Sequence, residues 1–208
     1  MINDGKPSTV YWLGESLYLN ITNQCSNNCW FCFRNYKPGV GGFNLKLTGE
    51  PDVETLIAEL KRAMPTRRWR EAVFCGFGEP TSRLDTLLEV SKWIKSSYPA
   101  LPIRLDTNGH GNVLNQNRKV AKELKAAGVN FASVSLNGHD EQTYRENCRP
   151  IFDHAFEAVL EFINEAKGEF DVEVTAIRMP EVDLAKVKAV ANELKVPFRV
   201  RDYIPCFW

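Results

Sequence analysis

Six apolar, β-branched runs alternate with five stretches of helical apolar spacing, and this alternation restricts the fold more than any other feature of the chain. The runs are "LYLNIT", "EAVFCG", "PIRLDT", "NFASVSL", "DVEVTAI" and "PFRVRDY", each bounded by turn residues as strands are. Between them come Val53, Leu56, Ile57 and Leu60, then Leu84, Leu87, Leu88, Val90, Trp93 and Ile94, then Val120, Leu124 and Ala127. The fourth and fifth sets are Phe156, Val159, Leu160 and Ile163, and Leu184, Val187, Val190, Ala191 and Leu194. Steps of three and four residues put each set on one helical face. Strand then helix, repeated, predicts parallel strands with right-handed crossovers, in an open sheet or a barrel. A full eight-unit barrel takes about 250 residues, so six units in 208 residues predict an incomplete (β/α)6 barrel, read as one domain over residues 1–208. "TVYWL" (9–13) predicts a short lead-in hairpin before the first strand.

Composition narrows the function classes. Twenty-six basic and twenty-six acidic side chains cancel, so no net field draws the chain to nucleic acid or to a membrane surface. A small molecule or a protein is the expected partner. No stretch approaches the roughly 20 apolar residues of a membrane span. The opening "MINDGKPSTVYWLGES" lacks the basic-then-apolar order of an export signal, and a cytoplasmic location is expected.

Parallel α/β sheets place ligands at the carboxyl ends of their strands, which ranks the polar clusters by position. "CSNNCWFC" follows the first strand, "GFGEP" (76–80) the second, "DTNGHGN" (106–112) the third and "SLNGHD" (135–140) the fourth, so all four fall on one rim. Cys25, Cys29 and Cys32 put three thiols within eight residues. A closed zinc site wants four ligands and a disulfide framework an even number of cysteines, whereas three thiolates can hold three irons of a cubane and leave the fourth open. A zinc knuckle completed by a distant residue, or three unrelated buried thiols, are the competing readings. His110, His139 and His154 lie far downstream at no paired zinc spacing.

"CSNNCWFC" has the CxxxCxxC spacing, with an aromatic residue before the last cysteine, of the radical S-adenosylmethionine (radical SAM) superfamily. The wider context of "LYLNITNQCSNNCWFCFR", "GFGEPT", "TNGHGN" and "VSLNGHDEQTY" resembles the TatD-family-associated radical SAM proteins. The resemblance implies a partial (β/α)6 TIM-like barrel in which Cys25, Cys29 and Cys32 bind a 4Fe–4S cluster, with SAM chelating its open iron. Reductive cleavage of SAM to methionine and a 5′-deoxyadenosyl radical, which abstracts hydrogen from a substrate, is the implied activity. It also implies a one-electron reductant such as flavodoxin or ferredoxin, and a TatD-type hydrolase as a companion. An iron–sulfur electron-transfer or sensor protein that does not cleave SAM is the alternative.

The remaining rim residues have a role by resemblance and a plain structural reading beside it. Phe31 would sit by the adenine, or serve as an apolar wedge in the loop. Gly76, Gly78 and Glu79 resemble the superfamily's GGEP element for the methionyl amino group, with Phe77 between the glycines as a departure. Glu79 also reads as the acid that starts a helix. The other "GEP", at Gly49–Pro51, has no strand before it, and Glu50 to Asp52 read as the negatively charged start of a helix. Ser135 and Asn137 resemble the ribose-binding element or simply end a strand; Asn108 lies in a turn, with a ligand role as an extra expectation; Arg178 would pair with the SAM carboxylate or be a solvated surface cation. Cys75 reads as core, Cys148 and Cys206 have no local partner, and the glycine-rich stretch 34–49 reads as a loop able to act as a lid.

Overall fold

The computed structural model describes residues 6–203, so Cys206 lies outside the described residues. All six expected strands form, and the lead-in hairpin forms with them. In chain order the strands are β1 (Val10–Leu13), β2 (Ser16–Leu19), β3 (Gly39–Val40), β4 (Phe43–Asn44), β5 (Glu71–Phe74), β6 (Ile103–Thr107), β7 (Phe131–Ser135), β8 (Asp171–Arg178) and β9 (Phe198–Asp202). The helices are α1 (Val53–Ala63), α2 (Leu84–Ser97), α3 (Gly111–Leu114), α4 (Val120–Ala126), α5 (Glu141–Cys148), α6 (Ala155–Ala166) and α7 (Leu184–Glu193). Seven strands make one sheet in the order β1-β2-β5-β6-β7-β8-β9. Every pairing from β2 to β9 is parallel, and β1 runs antiparallel on β2 with Val10 opposite Leu19. The sheet is open, as an incomplete barrel is.

Its two faces differ in kind. Leu17, Leu19, Ala72, Phe74, Ile103, Leu105, Ala132, Val134, Val174 and Ala176 form one core with Leu56, Leu60, Leu87, Ile94, Leu124, Phe162 and Val187 of the helices. The alternate positions, among them Tyr18, Glu71, Arg104, Asp106, Ser133, Glu173, Arg199 and Arg201, line a cavity of about 650 Å³ on the other face. Side chains on a strand alternate between faces, so "IRLDT" sends Ile103 and Leu105 to the helices and Arg104 and Asp106 to this lumen. Arg104 is held there by Glu71 at 3.1 Å and Asp106 at 2.6 Å. Arg199 is held by Glu173 at 3.0 Å.

The stretch 34–49 is not the bare loop that its glycines imply. It carries a 3-10 turn at Phe33–Asn35 and the β3–β4 hairpin, whose turn residues Gly41 and Gly42 both have positive φ (59° and 83°), as a type I′ hairpin turn requires. Phe43 packs on Tyr11 and Trp12, and Leu45 is buried with its carbonyl accepting from Asn20 Nδ2 at 2.7 Å. The pairing is too short for a periodic signal, which is why it escapes a pattern reading. α5 escapes for another reason: "EQTYRENC" has little apolar stripe, and it is fixed at its start by a capping box between Asp140 and Thr143.

One buried network ties three rim segments together beneath the cysteine loop. His110 is fully buried, with Nδ1 2.9 Å from Ser26 Oγ and Nε2 3.0 Å from the Tyr144 hydroxyl of α5. Tyr144 OH accepts from Asn27 Nδ2 at 3.0 Å, and Ser26 Oγ accepts from Asn108 Nδ2 at 2.9 Å. A neutral imidazole supplies one donor and one acceptor, enough for both neighbours. Burial pushes the His110 pKa down from its ordinary 6.5 to about 4. The unfolded chain therefore binds a proton that the folded chain refuses between those values, so stability is complete above about pH 6.5 and is lost as pH falls toward 4. The full loss attributable to this ring is roughly 3 kcal/mol. Urea midpoints measured across that window are expected to fall more steeply for the wild type than for His110→Gln; parallel curves would contradict this account.

Candidate functional site

The chain leaves β2 without regular structure and enters the cysteine loop, which is held in place by backbone and side-chain groups of its neighbours. Gly78 N donates to Thr22 O at 2.9 Å and Glu79 N to Gln24 O at 2.7 Å, from the loop after β5. From the end of α5, Cys148 O and Arg149 O both accept from Asn28 N at 3.0 Å, and Ile151 N donates to Ser26 O at 3.0 Å. Arg34 closes the loop from within, donating to Asn23 O at 3.3 Å, Asn27 O at 3.2 Å and Cys32 Sγ at 3.3 Å. Its place two residues after "CWFC" is the signal in the sequence for this role.

Cys25, Cys29 and Cys32 are free and half-buried. Burial, with the charge of Glu79 adding to it, pushes the Cys25 thiol up to about 12. A hydrogen bond with Cys148 and burial push Cys29 up as well. A thiol in such surroundings gives up its proton to a metal, which ionises its ligands outright. Among the described residues no three metal-binding side chains converge on a single point. A cubane takes each thiolate on a separate iron and does not ask them to converge. Three half-open thiols with a guanidinium beside one of them therefore suit a 4Fe–4S cluster better than a closed zinc site.

The glycine and acid loop differs from expectation in what it touches. A Cβ on Gly76 would lie 2.2 Å from Asn20 Oδ1, and one on Gly78 would lie 2.3 Å from Gln24 O. The glycines thus admit the backbone of residues 20–24 that leads into the cysteine loop. Glu79 is buried, and its carboxylate accepts from Thr81 N (3.0 Å), Thr81 Oγ1 (2.7 Å), Thr107 Oγ1 (2.8 Å) and Asn108 N (2.7 Å). It caps the turn at Pro80–Arg83 and holds the end of β6 at once. Burial raises its pKa against the pull of these donors. Phe77, the residue that departs from the GGEP pattern, packs edge-on against Phe33 at 5.8 Å, just past the last cysteine.

Glu50 also does more than begin a helix. Asp52 is the N-cap of α1, accepting from Thr55 N at 2.7 Å. Glu50 accepts from Thr22 Oγ1 at 2.9 Å and pairs with Arg83 at 3.2 Å, so it braces the strand end before the cysteines.

The structure brings Asn108 directly to the loop, 3.8 Å from Cys25 Sγ, while its Oδ1 accepts from His110 N. Asn137 joins strand ends, its Oδ1 accepting from Ile177 N at 2.9 Å. Ser135 Oγ accepts from Arg201 Nη2 at 3.0 Å. Phe31 is buried in the core beneath the loop, edge-on to Trp30. Arg178 stands exposed at the rim, paired with Asp202 at 3.2 Å. Cys75 is only half-buried and borders the lumen, which corrects its reading as core; burial and the neighbouring Asp106 push its thiol up. Cys148 is buried against Cys29.

Residues 19–194 match the family model of the Radical SAM superfamily. The GTP 3',8-cyclase of Paenarthrobacter nicotinovorans is 30% identical over 142 residues, which are 68% of this chain and 37% of that protein. The probable GTP 3',8-cyclase of Methanocaldococcus jannaschii is 26% identical over 198 residues, 92% of this chain and 59% of the relative. The chain therefore spans between about a third and three fifths of these relatives. Among solved structures, Streptococcus suis SuiB bound to S-adenosylmethionine superposes with a TM-score of 0.67 at 16% identity, over 97% of this chain and 42% of that one. The FeFe-hydrogenase maturase HydG from Carboxydothermus hydrogenoformans does so with a TM-score of 0.62 at 20% identity, over 91% and 44%. At these identities the two structures show a shared fold. No helix among the described residues is long and apolar enough to cross a membrane. The family's enzymes work with a 4Fe–4S cluster and SAM, and by the match across most of its length this chain belongs to the radical SAM superfamily.

Proposed function

We propose that this chain is a single radical SAM core domain whose cluster is held by Cys25, Cys29 and Cys32 and whose substrate enters the charged lumen. The observation that carries the reading is the position of the three-thiol loop at the carboxyl rim of a parallel sheet, with Phe33, just past its last cysteine, bordering the charged lumen. When bound, the cluster and SAM together supply the 5′-deoxyadenosyl radical that abstracts hydrogen from the substrate. The chain's own part is to hold and shield. Gly76, Gly78 and Glu79 fix the loop that would hold the methionyl end of SAM, with Glu79 acting through the backbone that it holds. Asn108 keeps Cys25 in place from the β6 side, Ser135 and Asn137 take the ribose at the end of β7, and Phe31 closes the apolar floor near the adenine. Arg178 pairs with the SAM carboxylate, giving up Asp202 to do so.

The motif context supports a place near the TatD-associated members of the superfamily, with a TatD-type hydrolase as companion and flavodoxin or ferredoxin as electron donor. The curated relatives are named for nucleotide cyclisation, pterin methylation and metal-cofactor assembly. Their names do not agree on a substrate, so the substrate class is better read from the lumen itself.

Anaerobic purification is expected to give a brown protein that forms 5′-deoxyadenosine from SAM and dithionite. A brown protein that leaves SAM intact would instead be an electron carrier or sensor, and a colourless zinc protein would be neither. Cys25→Ala, Cys29→Ala and Cys32→Ala are each expected to abolish the cluster, and Cys148→Ala to keep iron near the wild-type content. Loss of iron from Cys148→Ala as complete as from the triad would overturn the assignment of three protein ligands.

Glu79→Gln must set an amide N–H against a backbone or hydroxyl donor, at a cost of about 1 to 3 kcal/mol in the apoprotein. A lowered denaturation midpoint and weaker SAM binding are both expected, with Glu54→Gln on the exposed face of α1 unchanged in both. Weakened SAM binding with an unaltered midpoint would show that Glu79 meets SAM directly and does not act through the loop.

A further inference from the structure

Of the four arginines that border the lumen, three are matched by acids and the fourth is not, Arg70 being paired with Glu71 at 3.2 Å. Arg104 has Glu71 and Asp106, and Arg199 has Glu173. Arg201, two positions further along β9, donates through Nη2 to Ser135 Oγ at 3.0 Å, and its Nε is buried with no hydrogen-bond partner among the described residues. Asp106 feels its charge but is engaged by Arg104 at 2.6 Å. Asp202, the next residue, pairs with Arg178. An Nε donor shielded from water with no acceptor is costly to keep, and the planar guanidinium of a half-buried arginine matches the two oxygens of a carboxylate or phosphate.

The place of Arg201 is as informative as its lack of an acid. It borders both the lumen of about 650 Å³ and a second space of about 860 Å³ between the cysteine loop, the β3–β4 hairpin and the ends of β8 and β9. Phe33 and Val40 border both as well, and Arg201 is the charged member of the three. Lys37 adds a second cation on the outer space. Spaces of roughly 300 to 1,000 Å³ are the size of small-molecule sites. "FRVRDY" carries the signal in its alternation, since Arg199 and Arg201 must share the face opposite Phe198 and Val200.

We propose that the substrate is a small anionic molecule whose carboxylate or phosphate group is taken by Arg201 from the lumen side, leaving the Ser135 hydroxyl to the ribose, with the rest of the molecule in the lumen. This rests on the reading of the chain as a radical SAM enzyme. The acids opposite Arg104 and Arg199 leave only one strong anion position on this face, so the substrate is oriented with its charged end toward β9 and its reacting end toward the rim.

The test uses the full chain and two probes, inorganic phosphate and malonate, each titrated with and without SAM. Calorimetry reads the affinity, and arginine Nε resonances in a ¹⁵N-labelled sample read the site. At least one probe is expected to bind saturably and shift the Arg201 Nε signal, identified by its absence in Arg201→Gln. The affinity is expected to fall at least about tenfold in Arg201→Gln and to stay unchanged in Arg62→Gln, on the outer face of α1. Arg201→Lys, which keeps the charge and loses the fork, is expected to fall between them and guards against misfolding of the Gln variant, which its melting curve also checks. The stronger probe assigns the group as carboxylate or phosphate. Absence of saturable binding by either probe, equal loss in Arg62→Gln, or competition between SAM and the probe would each overturn the proposal. Anion binding at Arg201 in a protein that holds no cluster would leave the anion site standing and sink the radical reading; SAM cleavage without anion binding would do the reverse.

Discussion

A buried carboxylate needs donors, and the way Glu79 finds its four sets the geometry of the rim. Two come from Thr81, in its own loop, and two from Thr107 and Asn108, at the end of the next strand. Leaving such a group without partners would cost several kcal/mol. The loops after β5 and β6 are consequently one body, and the same two loops reach the cysteines: one through Gly78 N and Glu79 N to Thr22 and Gln24, the other through Asn108 and His110 to Ser26. The cysteine loop has no secondary structure of its own to hold it. Its shape is borrowed from these neighbours and from the end of α5.

This division of labour explains why polar residues sit at every strand end while the charged ones sit deeper. Amides such as Asn23, Asn108 and Asn137 satisfy the irregular backbone of the rim, where unpaired N–H and C=O groups accumulate, while Ser26 and Asn27 bond neighbouring side chains. The lumen below is organised by arginine–carboxylate pairs across strands, Glu71 with Arg104 and Glu173 with Arg199. Such pairs contribute little to stability when water reaches them. They do keep the inner face polar, fixed and open, which a chamber for a small molecule requires and an apolar filling would prevent.

The strands and long helices were legible because each carries several turns or pleats of periodic signal, as in Leu84 to Ile94. The β3–β4 pairing and α3, with two and four residues, are shorter than any period can register. The three thiols stand out in the sequence because their spacing is local, and the family that this spacing resembles is the one whose model matches the chain. The partners of Glu50 and His110, and the β6 partners of Glu79, are not legible there, because each lies tens of residues away: Glu50 meets Thr22 and Arg83, His110 meets Ser26 and Tyr144, and Glu79 meets Thr107 and Asn108. Arg178 and Arg201 show the limit most plainly. Both sit near strand ends in the sequence, and only the pleat and the register of β8 and β9 send one toward Asp202 and the other toward Ser135.

The antiparallel lead-in strand has an effect beyond lengthening the sheet. β1 covers the free side of β2, so among the described residues the parallel array is left with a single unpaired flank, at β9. Backbone groups on such a flank are templates for further hydrogen bonding, and charged side chains along it discourage indiscriminate pairing. β9 carries Arg199, Arg201 and Asp202 within five residues. The two edges of this sheet are therefore unlike: a parallel strand can join the array only at β9, beside the lumen, and whatever is added there becomes a further wall of that cavity.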